Sequence, residues 1–438
     1  MTPDQKRESL FEAWLSPQGI EFASPEAEKA YRERVARIRD AATLKKPDRV
    51  PVCPMVGFFP AFYAGFTPQE VMYDYDKLVQ AFKKYVLDFE PDAHGGAIGP
   101  GPGRFFEILD YRLYAWPGHG VSPMHSYQCL EGEYMKEDEY DALIQDPSNY
   151  FLSTYLPRIF KALEPLQKIP PLTNILEMYS AFSVVNFIPF GMPDVQEALH
   201  KLMEAGNEAV RWIGYALAHD RELAAAGFPG FFGGGTKAPF DIIGDTLRGT
   251  RGIMMDMFRR PEKILKAVEV FTPLAVKMGA SMARQSGNPL VFIPLHKGAD
   301  GFMSDEQFRK FYWPSLRDVL VGLIEEGCVP LPWAEGGYNS RLDVIRDVPE
   351  GKVIWGFDRT DMVEARKKLE GISCIGGNMP IDLLSIGTPE QVRDYARKLI
   401  EEVAGEGGYI MMTGAVMDEV KPENVRAMIE AVKEYGVY

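Results

Sequence analysis

Short apolar runs recur along the chain, and each ends in glycine, polar or charged residues. Segments with helical periodicity separate most of them. We read eight such runs, namely VPVCPMVG (50–57), DAHGGAIG (92–99), GFPGFFGGG (227–235), PLVFIPLHKG (289–298), CVPLPWAEGG (328–337), KVIWGFD (352–358), SCIGGN (373–378) and GYIMMTG (408–414). Apolar strands that alternate with helices are typical of a parallel sheet covered on both faces. Eight strand–helix units predict an α/β protein with a (β/α)8, or TIM, barrel.

The chain is longer than a plain barrel requires. A typical barrel has about 250 residues, whereas this chain has 438. We expect an N-terminal helical extension over residues 1–48 and a barrel domain over residues 49–438. A large insertion, at about 98–227, is predicted between the second and third strands. Within the extension, residues 24–46 have the pattern of an exposed amphipathic helix capped by Ser24.

Composition excludes several classes of function. The formal net charge of −14 argues against nucleic acid or an anionic membrane as the main partner. The N-terminal stretch lacks the pattern of a signal peptide, and no apolar stretch is long enough to span a bilayer. Four cysteines lie far apart without a CxxC pair, which suits a reducing compartment. We therefore expect a cytoplasmic protein, whose oligomeric state the sequence does not reveal.

Polar residues follow most of the predicted strands. In a TIM barrel the active site lies at the carboxyl ends of the strands, so these side chains are expected to converge on one mouth. The candidates for substrate binding are Lys237, Asp241, Asn378, Tyr338 and His94. Structural roles remain open, because strand-end carboxylates often cap the next helix and asparagine often holds a turn.

Glu335 is the strongest catalytic candidate, and His296 and Asp358 are secondary ones. Glu335 stands between an apolar strand and a Gly-Gly pair. Burial would raise its proton affinity and make it a general acid near neutral pH. Alternatively, Glu335 and His296 would bind a cation, or Glu335 is a solvated loop residue. For Asp358, an ion pair with Arg359 or Arg341 is the alternative.

The segment APFDIIGDTLRGTRG is dense in charged residues. Asp241 and Asp245 are four residues apart, and Arg248 follows three residues later. On a helix the two aspartates would share one face, with Arg248 close by. A salt-bridged start of a helix is the alternative to a binding site, because ion-pair networks also concentrate charge.

Longer stretches resemble the uroporphyrinogen decarboxylase superfamily, and more closely its corrinoid-linked methyltransferase branch. The resemblance covers about residues 45–436 and is strongest after residue 236. The stretches that carry it are PFDIIGDTLRGTRGIMMDMFRRPEKIL, GADGFMSDEQFRKFYWPSL, IGGNMPIDLLSIGTPEQV and GGYIMMTGAVMDEVKPENVRAMIEAVKEYG. Together they are specific for the superfamily but not for one of its reactions.

Departures from the family patterns reduce the number of reactions that are expected of this chain. Uroporphyrinogen decarboxylases carry an arginine-bearing RQAGRY segment, whereas this chain has MVGFFPAFYAG without arginine. The zinc-binding H-x-C motif of the coenzyme M methyltransferases is here Trp333-Ala-Glu335, and Ala415 stands at the second cysteine. A zinc-activated thiol acceptor is therefore not expected, and zinc remains only as an ion that Glu335 and His296 would hold.

The resemblance then implies the opposite half-reaction. A small methylated substrate, of ether or amine type, would give its methyl group to the cob(I)amide of a separate corrinoid protein. Glu335 would protonate the leaving atom, or a cation on Glu335 and His296 would act as a Lewis acid. The first alternative is a cofactor-independent decarboxylase that holds a small acid with Lys237, Lys297 and Arg248. The second is a non-catalytic barrel that binds a corrinoid or tetrapyrrole.

Overall fold

A computed structural model describes residues 1–177, 179 and 181–438 of the chain. Its strands are β1 (Tyr114–Pro117), β2 (Gly120–Val121), β3 (Gln128–Cys129), β4 (Gly234–Gly235), β5 (Leu290–Leu295), β6 (Val329–Ala334), β7 (Ile354–Phe357), β8 (Cys374–Gly376) and β9 (Tyr409–Ile410). Its α-helices are α1 (Pro3–Leu15), α2 (Pro25–Ala42), α3 (Phe59–Ala64), α4 (Pro68–Tyr73), α5 (Tyr75–Phe89), α6 (Gly103–Leu109), α7 (Tyr140–Gln145), α8 (Pro147–Tyr150), α9 (Leu156–Ile159), α10 (Ala181–Val184), α11 (Pro193–Ala225), α12 (Pro239–Asp241), α13 (Gly249–Arg259), α14 (Pro261–Ser286), α15 (Asp305–Gln307), α16 (Trp313–Glu325), α17 (Leu342–Ile345), α18 (Met362–Leu369), α19 (Ile381–Ile386), α20 (Pro389–Leu399) and α21 (Pro422–Tyr435).

The predicted barrel is confirmed. Six parallel strands pair in the order β4-β5-β6-β7-β8-β9. Backbone hydrogen bonds close the ring through the first predicted strand, since the Cys53 amide donates to the Met411 carbonyl at 2.9 Å and the Met411 amide donates to the Pro51 carbonyl at 2.8 Å. The second predicted strand joins the first through the Asp92 amide, which donates to the Val52 carbonyl at 2.9 Å.

Proline keeps the first two barrel strands short. Around Val52, Val56 and His94 the sheet contains only isolated bridges rather than continuous ladders. Pro51, Pro54 and Pro91 occur in or beside these stretches. Proline has no backbone N–H to donate to a neighbouring strand. The predicted strands at 50–57 and 92–99 therefore contribute to the ring with few hydrogen bonds each.

The period of two along the strands decides which side chains enter the barrel. In β6, Val329, Leu331 and Trp333 belong to the buried cluster inside the ring, whereas Ala334 packs with the outer cluster under the helices. Successive side chains of a strand point to opposite faces. Continuing the alternation places Glu335 on the inner face, and the same argument in β5 places His296 there.

The N-terminal helices α1 and α2 close one end of the barrel. Phe11, Trp14 and Val35 are buried in the same cluster as the inner side chains of β5 and β6. Each fully buried side chain of this size contributes about 1.5–3 kcal/mol by the area removed from water. The Ser24 hydroxyl accepts from the Ala27 amide at 3.2 Å, which confirms the predicted cap of α2. The opposite end, where the strands finish, stays available for chemistry.

Residues between the second and third barrel strands form β1 to β3, α6 to α10 and the long helix α11. The α11 helix has 33 residues and packs against α5 and α6. Among the residues that the structure describes, no helix is long and apolar enough to cross a membrane.

Candidate active site

Three strand ends bring together a chain of ionisable groups at the mouth. His296 follows β5, and its Nδ1 lies 2.5 Å from Oδ2 of Asp245. On the other side of the imidazole, Nε2 of His296 lies 3.6 Å from Oε1 of Glu335, which follows β6. Lys237, after β4, places its Nζ 2.7 Å from Oδ2 of Asp245. His296 therefore lies between two carboxylates, and Lys237 pairs with one of them.

Asp241 holds the end of β5 from outside the mouth. It is fully buried and accepts hydrogen bonds from the amides of His296 at 2.9 Å and Lys297 at 3.0 Å. Its Oδ2 also accepts from the Tyr312 hydroxyl at 2.7 Å. These donors occupy both oxygens, so the structure places Asp241 as a support for His296 rather than at the mouth, where it was predicted to bind substrate.

Local backbone structure explains why Asp241 and Asp245 act on the same strand end. Pro239 begins the short helix α12, and a π-helical turn, Ile242–Leu247, follows. Both carboxylates turn toward β5. Arg248 turns away, since its Nε lies 2.6 Å from Oδ2 of the buried Asp256. The two aspartates therefore lie on one face, as predicted, but Arg248 does not lie close to them.

The carboxylates keep His296 protonated. Burial by itself would lower the pKa of His296, but the hydrogen bond that its Nδ1–H donates to Asp245 and the proximity of Glu335 raise it from 6.5 to about 10. Burial opposes ionisation of Asp245 too, yet His296 and Lys237 lower its pKa to about 2. Burial and the charge of Asp245 raise the pKa of Asp241. At neutral pH the mouth therefore holds an imidazolium whose Nε2–H points into the space beside Glu335.

We expect the contribution of His296 to stability to disappear in alkaline solution. The folded protein binds the His296 proton more tightly than the unfolded chain, whose imidazole has a pKa near 6.5 against about 10 when folded. The stabilisation is therefore complete below pH 6.5, declines as pH rises, and is lost above about pH 10. Urea unfolding of wild type and His296→Gln at several pH values between 6 and 10 checks this. The difference in unfolding free energy should shrink toward pH 10, and a constant or growing difference would contradict it.

Glu335 is not buried. Its side chain is half exposed, and its amide donates to the Leu295 carbonyl at 3.3 Å. The expected burial of Glu335 is therefore not found, because water reaches the carboxylate at the open mouth. Its position next to His296 agrees with the predicted inward orientation of both side chains.

Asp358 and Asn378 lie at the ends of the next two strands. Oδ2 of Asp358 accepts from the Gly336 amide at 3.0 Å, and burial raises the pKa of this carboxyl group. Asn378 donates through Nδ2 to the Asp358 carbonyl at 3.0 Å and the Thr360 carbonyl at 2.8 Å. Asp358 therefore orients the turn that carries Glu335, and Asn378 ties two loops together. Of the two ion pairs expected for Asp358, the one with Arg359 is present, with Nε 3.8 Å from Oδ2. Arg341 contacts Asp305 instead.

The structure places two further predicted substrate contacts away from the mouth. His94 is buried, and its ring lies 6.1 Å from that of His219 on α11, outside the ring of strands. Burial, together with the neighbouring His219, lowers the pKa of His94 to about 3. Tyr338 is fully buried and packs edge-on against Phe308 in the outer core. Both assignments are corrected, because these side chains point toward the helices.

The donor set at the mouth does not fit a zinc ion. Catalytic zinc sites use three protein ligands, but Nδ1 of His296 is engaged by Asp245, which leaves Nε2 and Glu335. Trp333 and Ala415 supply no thiolate or imidazole. Within the described part of the chain, no group of three or more His, Cys, Asp or Glu residues is placed to hold a metal ion. We assign no metal to Glu335 and His296.

An apolar cavity of about 790 Å³ adjoins the ionisable cluster. Lys237 and Pro294 line it, together with side chains of α14 and the segment after α8. The apolar residues in its wall include Phe151, Tyr155, Phe271, Leu274, Met278, Met282 and Phe292. Lys237 belongs to both the cavity and the cluster, so an apolar ligand in the cavity would lie beside charged groups.

The sequence patterns did not link Asp245 to His296 or Tyr312 to Asp241. Asp245 was visible only as the second carboxylate of a D-x-x-x-D pair, and Tyr312 lay within a helical pattern. Their contacts join segments 51 and 71 residues apart in the chain. A pairing over that distance depends on the register of the barrel and leaves no local signal.

Comparisons with known proteins agree with this architecture. The family model described as uroporphyrinogen decarboxylase (URO-D) matches residues 192–435, more than half of the chain. A uroporphyrinogen decarboxylase of Chlorobium phaeobacteroides is 23% identical over 258 residues, which cover 56% of this chain and 68% of that protein. A methylated-thiol–coenzyme M methyltransferase of Methanosarcina mazei is 27% identical over 199 residues, covering 45% of this chain and 51% of the relative.

A solved structure extends the likeness to nearly the whole chain. A methyltransferase from Methanosarcina mazei superposes with a TM-score of 0.58 at 14% identity, covering 91% of this chain and 98% of the other. At that identity the match shows the fold alone. The chain spans only about half the length of the matched thiol methyltransferase, so sequence similarity does not extend over that whole protein.

Proposed function

The chain belongs to the uroporphyrinogen decarboxylase family, and we propose that it is a methyltransferase built on the barrel fold of that family. It takes the methyl group of a small methylated ether or amine and passes it to the cob(I)amide of a separate corrinoid protein. The observation that carries the proposal is His296, which Asp245 holds in the charged form beside Glu335. This group meets the chemical need of demethylation, which is a proton for the departing heteroatom.

The cob(I)amide supplies the nucleophile for the methyl carbon. The bond between that carbon and the heteroatom breaks, and the electron pair stays on the heteroatom. His296 Nε2–H then donates its proton to the heteroatom, while Asp245 holds Nδ1 and fixes the ring. One positioned acid of this kind contributes about 10²- to 10⁴-fold to the rate. His296 therefore takes the acid role that the sequence assigned to Glu335.

Glu335 acts on His296 and on the polar end of the substrate. Its carboxylate is 3.6 Å from Nε2, longer than a hydrogen bond, which leaves the pair open to an inserted heteroatom. In that position Glu335 raises the proton affinity of His296 and orients its N–H.

The apolar cavity favours a substrate with an apolar body. Its lining is mostly apolar and includes four aromatic side chains and two methionines. Lys237, the charged residue in this lining, also pairs with Asp245. Burying an apolar group there gains about 25 cal/mol for each Å² removed from water. The methylated heteroatom would then face Lys237 and His296, which stabilise negative charge on a departing oxygen.

A protein partner can reach the cluster. The side chains of His296 and Glu335 are about one third and one half exposed, and both lie at the open end of the barrel. A corrinoid protein that docks there would bring its cofactor to the methyl carbon without entering the buried core.

The decarboxylase alternative has weaker support. Of the three cations expected to hold a carboxylate, Arg248 is buried in pairs with Asp256 and Glu133. Lys237 and Lys297 are both near Asp245, at 2.7 Å and 3.5 Å, which offsets their charge. The charged cluster also argues against a purely binding barrel, since the partly buried pair of His296 and Asp245 costs desolvation energy.

The test uses purified protein, without oxygen, with chemically reduced cob(I)alamin and a panel of aryl and alkyl methyl ethers, methylamines and methylated acids. We expect loss of the cob(I)alamin absorbance together with release of one demethylated product. Carbon dioxide release from a small acid, without any demethylated product from the panel, would overturn the proposal in favour of a decarboxylase.

Glu335→Gln is expected to lower the rate about tenfold and to shift its pH dependence. The amide retains the shape of the side chain but removes one negative charge beside His296, so the pKa of the imidazolium falls, and one pKa unit corresponds to about 1.4 kcal/mol. The pH profile of kcat should lose activity at a lower alkaline pH than in wild type. An unchanged rate and an unchanged profile would remove Glu335 from the site. The control is Asp343→Gln, which replaces an exposed carboxylate on α17 and should leave the rate and the pH profile unchanged.

A further inference from the structure

The insertion after the second barrel strand includes a segment, residues 113–135, that we call the strap. It contains β1 to β3, and β1 pairs with β3 so that Tyr114 lies opposite Cys129. Because side chains alternate along a strand, Tyr127 and Cys129 share one face of β3. The rings of Tyr114 and Tyr127 meet edge to face, with centroids 5.5 Å apart. The strap therefore carries two tyrosine rings and one thiol on the same face.

Contacts on two sides of the mouth hold the strap in place. On one side, the Pro123 carbonyl accepts from the Gln69 amide of α4 at 3.2 Å, and α4 lies in the connection that follows the first barrel strand. On the other side, the carboxylate of Glu131 accepts from the Thr250 amide at 2.6 Å, in the connection that follows β4. The strap thus passes along the mouth between these two connections.

The face with the two tyrosine rings lies close to the ionisable groups of the mouth. Partial burial raises the pKa of Tyr127, and the charges of Asp418 and Glu335 raise it further. Burial also raises the pKa of Tyr114, and Asp245 is among the neighbouring groups that add to this effect. Charges act in this way only over short distances. This face of the strap is therefore turned toward the cluster that holds the proton donor.

The ring of Tyr127 borders an open cleft. Enough of the chain surrounds it to raise the pKa of its hydroxyl, yet 57% of its surface is exposed. Tyr114 is more firmly held, because Tyr111 stacks between Tyr114 and Phe160, with ring centroids 5.9 Å and 5.0 Å away. A ring that is fixed in advance loses little freedom when a ligand binds against it.

Aromatic side chains continue from the strap into the apolar cavity. Phe151 and Tyr155 belong to the cavity wall, and their ring centroids are 4.8 Å apart. Burial raises the pKa of Tyr155, and Tyr134, Tyr114 and Cys129 lie near enough to raise it further. A flat aromatic ligand would meet ring faces and edges on both sides, contacts that add to the gain from buried area.

The chemistry of the leaving atom independently favours an aryl ether. An amine departs from an ammonium nitrogen as a neutral molecule and needs no proton as it leaves. A phenol has a pKa of about 10, against about 15.7 for water, so phenoxide leaves more readily than a simple alkoxide. Despite burial, Asp245 and Glu335 raise the pKa of His296 to about 10, which matches this proton donor to a departing phenoxide.

We propose that Tyr114 and Tyr127 of the strap bind an aromatic ring of the substrate, so that the methyl donor is an aryl methyl ether. This inference rests on the proposed function, since it names the substrate class of the same site. The methyl group goes to the cob(I)amide, the electron pair of the broken bond stays on the phenol oxygen, and His296 supplies the proton. The strap residues set specificity and take no part in the proton transfer.

The first test measures binding to the full-length protein by calorimetry, without any corrinoid. The ligands are methoxybenzene and methoxycyclohexane, which are similar in size but differ in aromaticity. We expect wild type to bind methoxybenzene roughly two- to twelvefold more tightly, as one aromatic contact provides. Tyr127→Leu should remove most of this difference, whereas Tyr127→Phe should keep it because phenylalanine retains the ring.

Gln128→Leu is the matched control. It introduces the same residue at the next position of β3, where the side chain is exposed and points away from the tyrosine face. This variant should bind both ethers as wild type does. Circular dichroism and thermal unfolding verify that all variants fold.

The second test measures demethylation of the two ethers with cob(I)alamin. For methoxybenzene, Tyr127→Leu should raise KM by the same factor as the loss of affinity and change kcat less, since Tyr127 contacts the ring rather than the breaking bond. The KM for methoxycyclohexane should not change.

Three binding results would overturn the inference: equal affinity of wild type for the two ethers, no measurable binding of methoxybenzene, or a preference that Tyr127→Leu retains in full. Demethylation of alkyl donors without preference for aryl ethers would also overturn it, while the proposed function stands. The expected binding without demethylation of any donor would support the inference and contradict the proposed function alone.

Discussion

Replacing His296 with asparagine is expected to lower kcat for methyl transfer by about 10²- to 10⁴-fold, the contribution of one positioned acid. The substitution removes the proton at Nε2 and the positive charge that Asp245 and Glu335 maintain. Asparagine keeps an amide near the strand end, so the backbone contacts of Asp241 with residues 296 and 297 should persist. The measurement is the initial rate of cob(I)alamin consumption with the best substrate of the panel.

Two further variants separate the acid from its surroundings. His125→Asn changes an exposed histidine in the β2–β3 connection and should leave the rate unchanged. Asp245→Asn keeps the imidazole but removes its charged partner, so we expect a smaller loss and a lower alkaline limit of activity. Full activity of His296→Asn would exclude this histidine as the acid, whereas loss of activity in His125→Asn as well would indicate a general defect.

The largest effect on stability is expected for Asp92→Ala, with a loss of about 3–5 kcal/mol in the free energy of unfolding. Asp92 is fully buried, and its carboxylate lies 2.7 Å from Nη1 of Arg37 and 2.7 Å from Nη1 of Arg49. It also accepts from the Val52 amide at 2.8 Å. Removal of the carboxylate leaves two guanidinium groups and one amide without their shared acceptor, so the closure between the first two strands weakens.

Asp48 provides the matched control for Asp92. It pairs with the same guanidinium, at 2.5 Å from Nη2 of Arg37, but its side chain is largely exposed. Exposed ion pairs contribute about 0–1 kcal/mol, so Asp48→Ala should be nearly as stable as wild type. Urea unfolding of the two variants and of wild type checks the difference. Equal losses for Asp48→Ala and Asp92→Ala would contradict the role of burial.

Asp92 and its arginine partners also show how much of the role of a polar strand residue can be predicted from sequence. The pattern included Asp92 and His94 in the second predicted strand, and in the structure both amides donate to neighbouring barrel strands. It did not distinguish side chains that enter the mouth from those that face the helices. Asp92 and His94 take the outer face, where Arg37 and His219 come from distant segments. One residue of shift reverses the face of every side chain in a strand.

The sequence by itself determined the number and order of the strands, the additions to the barrel and the cap of α2. These features depend on hydrophobic period and on turn and cap residues, which act over a few neighbours in the chain. Only the tertiary structure decided that His296 pairs with Asp245, that Glu335 stays in water and that Tyr338 is buried. Such outcomes depend on the register of strands and on helices packed from far along the chain, because burial and charge are properties of the assembled neighbourhood.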